Sequence, residues 1–500
     1  MFVENSADTY TSSLASVGRG ALFFGLGRFS SQIISFITLL LLTNFLGTSK
    51  FGVYSFGLTV VALIGTVANV GADKGTLRFL PANPTFKGEY ISISYIIGFV
   101  GSWFSALVLF IFSPMINKFT LQNTLLVFTL RVFAFLILTR VTIQLTTTAY
   151  RAENLPEYDT FLQQLLLPIL KLFMVIVAII LFKSYITIII GLVVVEAIIS
   201  FVGMYVLIFK TSLEFEYPKN ISIKKYLSFS LPASIKDASS LLFSHIDIFM
   251  IGFFVSSGDV GIYRVAIVLG TLISLPLASM KRIFPSITAK LYHNNQATEL
   301  IDVFNSVTRW VIALTVPILL VFIIYRFEIL SLFGPDFTKG TIIFVILLSA
   351  RFIQISSGVI SEFLLMTDNQ NIVSINQIVF GSINIFLNLI LIPQYGLLGA
   401  ALATFTSMSL HSLTRVFELL ILRNIRPYSF EILRIVPAVF GMAVGLIIVQ
   451  MLTSGFVTLL AGGVISSGIY LILLYRFGMT KKDEQLYQYA KENNPLFQSL

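Results

Sequence analysis

The sequence predicts an all-α polytopic membrane protein with about 14 transmembrane helices, since one span takes about 20 apolar residues. Composition is the first ground: of 500 residues, 56% are hydrophobic and only 11% charged. An ordinary soluble domain carries about 25% charge. Continuity is the second, because the apolar stretches run well past the alternating segments of about ten residues that build a membrane β-barrel. The third is the connectors, which alternate between short uncharged turns and basic loops. A soluble enzyme, a secreted disulfide scaffold and a disordered chain are excluded. With no cysteine, disulfides and thiolate metal sites are excluded too.

Apolar runs bounded by charge, Pro or Gly fall at 21–45, 52–72, 90–112, 123–149, 160–182, 186–209, 230–254, 261–280, 310–333, 340–366, 371–392, 397–422, 435–453 and 456–475. One set of connectors is short: 46–51, 183–185, 255–260, 334–339, 393–396 and 454–455. The other set is basic, with Lys74, Arg78 and Lys87, then Lys210, Lys219, Lys224 and Lys225, then Arg423, Arg426 and Arg434. About 20 Lys/Arg on this second side against about 4 on the first predict that both termini are cytoplasmic in a cell membrane. Residues 1–20 are polar and no small-residue cleavage site follows the first apolar run, so that run reads as an uncleaved signal anchor. Topology and contact with anionic lipid headgroups thus account for most of the net charge of +9, and no nucleic-acid partner is expected. No loop exceeds about 30 residues and no Walker motif occurs, which leaves no room for a soluble catalytic domain. His245, His293 and His411 are too scattered to suggest a metal site.

An internal repeat is readable. Phe45-Leu-Gly-Thr-Ser-Lys-Phe-Gly52-Val-Tyr54 follows the first run and Phe254-Val-Ser-Ser-Gly-Asp-Val-Gly261-Ile-Tyr263 follows the seventh. A repeat after six helices preserves membrane orientation and relates the halves by an axis along the membrane normal, which is a transporter plan with a site near the midplane. The expected organisation is an N-terminal six-helix bundle over 1–212, a second over 222–424, and helices 13 and 14 with a tail over 425–500.

Charge inside a span usually faces protein or a wet cavity. Residues 3, 4, 7 or 11 apart share a helix face. Arg140, Gln144, Thr147 and Arg151 fall on one face, as do Gln164 with Lys171, and Lys236, Ser240 with Asp247. Arg351 and Glu362 are coaxial; Asn384 and Asn388 belong to one stripe, and Thr404, Ser407, His411, Arg415 and Glu418 to another. These stripes predict a water-filled chamber of positive sign, suited to an anionic cargo. Its candidate lining is Arg28, Arg131, Arg140, Lys171, Lys236, Arg264 and Arg351. Arg264 and Arg326 could instead anchor the outer edge, and Arg415 with Glu418 read as a local pair.

Several segments resemble the polysaccharide/oligosaccharide flippases of the multidrug/oligosaccharidyl-lipid/polysaccharide exporter superfamily. These are 384–404, with Asn384, Asn388, Pro393, Tyr395, Gly396, Gly399, Ala400, Ala401 and Thr404, Leu332-Phe-Gly-Pro-Asp-Phe337, Asp247-Ile-Phe-Met-Ile-Gly252, and the two repeated glycine–tyrosine elements. The resemblance implies two six-helix bundles in a V that move a lipid-diphosphate-linked sugar to the outer leaflet by alternating access. It also implies a sodium site by similarity to the lipid II flippases, at Asp247, Asn384, Asn388, the Ala400 carbonyl and Thr404. Asn388 stands where a second carboxylate would strengthen that site. The drug-exporting branch carries an acid in its first helix, and 21–45 has none.

The physical reading is that arginines grip a diphosphate by bidentate hydrogen bonds while the isoprenoid tail stays in lipid. With the interior negative, outward movement of two negative charges is favoured by about 4.6 kcal/mol at 100 mV. No cofactor is expected, with sodium or membrane potential as the drive. The expected partners are the lipid-linked glycan, membrane lipid and glycan-assembly machinery around a monomer. The alternatives are a drug or metabolite exporter of the same fold and, from another class, a membrane sugar polymerase or glycosyltransferase. The first would want acidic walls, and the second a sizeable outer loop bearing acids.

Overall fold

The computed structural model describes residues 4–211, 213–480 and 483, with side chains from Ser30 onward except at 236, 239, 240, 242–244, 282 and 283. Among the described residues there is no strand. In lipid every backbone polar group must bond internally, and a continuous helix does that within one segment. Each of the fourteen apolar runs falls on largely helical backbone. By length and apolarity ten helices among the described residues suffice to cross a membrane, and a bent pair makes up to eleven. Gln370–Arg423 holds two of the runs and Ser30–Ala68 most of two more, so the total is consistent with about 14 crossings of about 20 residues. This is a multi-pass membrane protein.

The chain divides into two compact units, Met1–Gly261 and Ile262–Leu500. The first contains α1 (Glu4–Ala68), α2 (Ala72–Ala82), α3 (Pro84–Phe119), α4 (Thr124–Ala152), α5 (Pro156–Phe182), α6 (Tyr185–Lys210), α7 (Ile223–Phe254) and the start of α8 (Ser257–Leu272). α1 bends at Gly47, whose φ of 66° and ψ of 179° are open only to glycine, and the bend separates the first two apolar runs. α4 sits at the centre and packs against α1, α2, α3 and α6, while α7 packs on α1 and α2. Its start is fixed by Asn123, whose side chain accepts from the Leu125 amide at 3.0 Å.

One end of this unit is an aromatic core of Phe79, Tyr90, Tyr150 and Tyr226 with Ile91, Leu162 and Leu213. Two of its buried hydroxyls are placed: Tyr150 donates to the Gly203 carbonyl at 2.7 Å and Tyr226 to the Ala72 carbonyl at 2.8 Å. The α6–α7 linker is held there too. The buried Glu89 carboxylate accepts from the Asn220 amide and side chain, both at 2.7 Å, and from the Ile221 amide at 3.2 Å. Elsewhere in the unit the repeated glycines meet. A Cβ on Gly52 would overlap the Ser257 carbonyl, and one on Gly261 the Thr48 carbonyl. Only glycine permits that approach of two helix starts.

The second unit holds the rest of α8, then α9 (Leu275–His293), α10 (Ala297–Ile324), α11 (Pro335–Met366), α12 (Gln370–Arg423), α13 (Phe430–Leu452) and α14 (Phe456–Gly478). α9 turns 51° from α8, and α12 bends at Gly396 (φ 56°). α10 packs on α9, α11 and α13, and α13 pairs with α14. Hydroxyl–carbonyl bonds staple these helices, from Tyr325 to Leu446 at 2.9 Å and from Tyr470 to Ala313 at 2.7 Å. Arg309, 3% exposed near the middle of α10, is bound by Asp483 at 2.5 Å, the Gly478 carbonyl at 3.1 Å and Thr480 at 3.2 Å.

Candidate functional site

The first unit has an open cavity of about 610 Å³ with many polar side chains, set within otherwise apolar helices. α4 contributes Arg140, Gln144, Thr147 and Arg151, the helical stripe expected from their spacing. α5 contributes Asp159, Gln163, Gln164 and Lys171, and α6 contributes Glu196. The wall on α5 is unusual, because Thr160–Leu166 winds as a π-helix. Such segments are rare and collect at functional sites. Here the wide turn carries Gln163 and Gln164.

Glu196 organises the inner end. Its carboxylate is 3% exposed and takes Arg140 through two bonds at 3.0 and 3.1 Å and Lys171 at 2.6 Å. Towards the other end Arg151 reaches Thr148 at 2.9 Å and lies 3.6 Å from Asp159. Gln163 bridges Thr147 at 2.8 Å and Asp159 at 3.0 Å. Three cations against two carboxylates leave the lining net positive. Gln164 Oε1 is buried beside the cavity and has no hydrogen-bond partner among the described residues. An acceptor in that state costs stability unless a donor arrives.

A polar chain leaves this cavity through Gln144. Its amide donates to Asp73 at 3.1 Å, and Asp73 also accepts from Asn69 at 2.8 Å. Lys74 lies 3.2 Å from Asp73 and 3.1 Å from Asp237 on α7. Burial lowers the affinity of Lys74 for its proton, but its bonds to Asp237 and Asp73 outweigh this and raise its pKa above the usual lysine value.

The structure brings together Arg140 and Lys171 from the expected cationic set, and adds Glu196 as their common partner. Sequence spacing could not pair Glu196 with Arg140, because the two are 56 residues apart on different helices. Arg131 does not line this cavity. It is exposed on α4 with its guanidinium 5.2 Å from the Phe110 ring centre. Arg264 is half-buried on α8, and Arg351 bonds Gln354 on its own helix at 2.7 Å. The side chains of Arg28, Lys236 and Ser240 lie outside the described residues. Arg415 donates to Ser357 at 3.4 Å while Glu418 accepts from Asn376 at 2.8 Å, so each has a partner on another segment. Glu362 pairs with Lys281 at 2.9 Å and His411 stacks on Phe380 at 4.8 Å.

Of the expected sodium ligands, four gather in the second unit and Asp247 belongs to the first. Asn388 donates to Asn384 at 3.2 Å, Asn384 to Ser407 at 3.3 Å and Thr404 to the Ala400 carbonyl at 3.0 Å, with Tyr263 at 3.1 Å from Thr404. The oxygens of Asn384, Ser407 and Ala400 accept within this set and none of the four residues carries a formal charge, which is the chemistry of a helix-joining cluster. Among the described residues no group of three His, Cys, Asp or Glu could hold a metal.

With this geometry in view, the comparisons are consistent among themselves. The model of a family described as polysaccharide biosynthesis protein matches residues 17–291, more than half of the chain. A Haloferax volcanii protein named probable flippase AglR is 27% identical over 223 residues, 44% of this chain and 46% of that protein. A second from the same organism, named probable low-salt glycan biosynthesis flippase Agl15, is 25% identical over 41% of this chain and 43% of its own. The aligned part thus spans about half the length of these relatives. Among solved structures, the lipid II flippase MurJ in an inward closed conformation aligns over 91% of this chain and 98% of its own, at a TM-score of 0.74 and 16% identity. An inward-facing multidrug resistance MATE family transporter aligns over 77% and 92%, at 0.61 and 13%. At these identities the structural likeness speaks for the fold.

Proposed function

Since the chain belongs to the polysaccharide biosynthesis protein family, we propose that it is a flippase, which moves a lipid-(di)phosphate-linked oligosaccharide from the cytoplasmic to the outer leaflet by alternating access. One observation carries the reading: a net-positive, amide-lined cavity of about 610 Å³ inside helices built for lipid. Relatives named as flippases and a fold shared with transporters support it.

The cavity's chemistry suits the two ends of such a head group. Arg140, Lys171 and Arg151 can bind phosphate oxygens, arginine through its planar fork. Glu196 partly neutralises two of those cations, so that phosphate competes with it for them and is released again. Gln163, Gln164 and Thr147 offer the donors and acceptors that sugar hydroxyls need. The relatives named as flippases support a transporter that leaves the glycan's covalent structure unchanged. In this reading both termini are cytoplasmic, the protein works as a monomer beside glycan-assembly machinery, and membrane potential or sodium drives the cycle.

The test is a proteoliposome assay with a lipid-diphosphate-linked glycan and a membrane-impermeant glycan-modifying reagent. The expected result is leaflet exchange with the glycan unchanged, faster when the potential is negative on the donor side. Arg140→Ala is expected to lower the rate about tenfold or more with folded protein retained, the scale of one lost charge-assisted contact. A longer or newly glycosylated product with no leaflet exchange would move the protein to the polymerase or transferase class.

A further inference from the structure

The cavity leaves Arg131 unexplained. Arg131 lies seven residues into α4, about 10 Å from the helix start at a rise of 1.5 Å per residue. It is exposed, and among the described residues no carboxylate pairs with it; its neighbour is the Phe110 ring at 5.2 Å. A cation this deep on an outward face is costly in lipid without a counter-charge or a path to the interface.

The same face holds a groove. Trp103, Phe104, Leu107 and Phe110 of α3 and Ala134, Phe135 and Leu138 of α4 line an apolar trough of about 410 Å³. Arg131 precedes Ala134, Phe135 and Leu138 by 3, 4 and 7 residues, so it caps their helix stripe at one end of the trough. Two turns beyond Phe110, on the matching α3 stripe and nearer the polar 120–123 turn, stands Lys118, which is also exposed. An apolar trough thus ends at two cations, one within the membrane and one at its edge.

We infer that this α3–α4 trough is a binding site for an anionic bilayer phospholipid. One acyl chain lies along the aromatic and aliphatic walls, and the phosphodiester sits between Arg131 and Lys118. Charge complementarity selects this occupant over a zwitterionic lipid, whose ammonium would meet like charge. The Phe110 ring, 5.2 Å from the Arg131 guanidinium carbon, engages the cation through its face, and the N–H groups of the planar fork can serve two phosphate oxygens. The site is separate from the polar cavity and does not depend on what the cavity carries. In the orientation proposed above it belongs to the outer leaflet.

Native mass spectrometry of the purified chain tests this, with equimolar phosphatidylglycerol and phosphatidylcholine added. Wild type is expected to retain one more phosphatidylglycerol than Arg131→Gln, and that lipid should be preferred about tenfold, the scale of a charge-assisted hydrogen bond. Arg131→Lys should keep the charge and part of the preference, and covers the case in which the glutamine variant fails to fold. Leu107→Trp, which fills the trough from its exposed side, should lose the same lipid with both cations present. Equal lipid counts in wild type and Arg131→Gln overturn the site. Displacement of the bound lipid by a trace of polyprenyl phosphate overturns the assignment to a phospholipid.

Discussion

Glu196 holds Arg140 by two parallel hydrogen bonds, Nε to Oε2 at 3.0 Å and Nη2 to Oε1 at 3.1 Å. The same carboxylate also takes Lys171, at 2.6 Å. One acid serving two cations makes the triad asymmetric. Glu196→Ala takes the shared carboxylate from two cations whose side chains are 34% and 27% exposed, which destabilises the fold by less than the loss of a fully buried pair would. Arg140→Ala leaves the carboxylate its lysine and should cost less. Thermal melts in detergent are therefore expected to fall further for Glu196→Ala than for Arg140→Ala, while Arg140→Ala suffers the larger loss of transport per degree. Equal melts would remove Glu196 as the common anchor.

The Glu89 carboxylate, 2% exposed, is occupied by Asn220 and Ile221 of the α6–α7 linker. Its role is to hold the linker against the start of α3. Glu89→Ala should free residues 211–222, seen as rapid cleavage of that segment by limited proteolysis on a chain otherwise intact. A linker as resistant as wild type would assign its order to other contacts, such as the Glu216 amide on the Gly88 carbonyl at 3.3 Å.

Arg309 and Asp483 predict a pH response. Burial pushes the Asp483 carboxyl up, but bonds from Arg309, the Thr480 amide and Trp310 outweigh this and hold it below the usual carboxylate value. A depressed folded value means the stabilisation is whole above the unfolded value of about 3.9 and is lost as pH falls through the lower folded one. Asp483→Asn is expected to lower the melting temperature at pH 7. Below about pH 3.9 the gap between variant and wild type should narrow. A gap independent of pH would mean that shape, not charge, fixes the segment after α14.

Much of this was legible in the sequence, and the limits have a physical cause. Within one helix, spacing sets the face, so the sequence already groups Arg140, Gln144, Thr147 and Arg151, and Gln164 with Lys171, and the cavity has both groups. The glycine repeat was also visible, because a close approach demands Gly at fixed offsets. Spacing along one helix says nothing about which way a stripe faces or what stands opposite. Arg131 therefore read as a cavity residue, although its face is turned outward against Phe110. Glu196 stood in the sequence as a lone charge, and its role depends on two other helices. Arg309 precedes the apolar run assigned from 310, so nothing local marked it as buried.

The repeat also yields a conformational test. Ser49 and Ser257, from the two repeated elements, lie with their hydroxyls 2.8 Å apart beside the Gly52–Gly261 contact. The chain contains no cysteine, so a Ser49→Cys/Ser257→Cys variant carries one thiol pair and no background. A disulfide needs Cβ atoms about 3.5–4.5 Å apart, which two hydroxyls in hydrogen-bond contact readily allow. Oxidation should close the bond in high yield, seen as a mobility shift that a reductant reverses. If alternating access separates these helix starts, oxidised protein in proteoliposomes should lose transport and recover it on reduction. Full transport by the cross-linked form would show that the Gly52–Gly261 contact stays closed throughout the cycle, and would place the moving parts elsewhere.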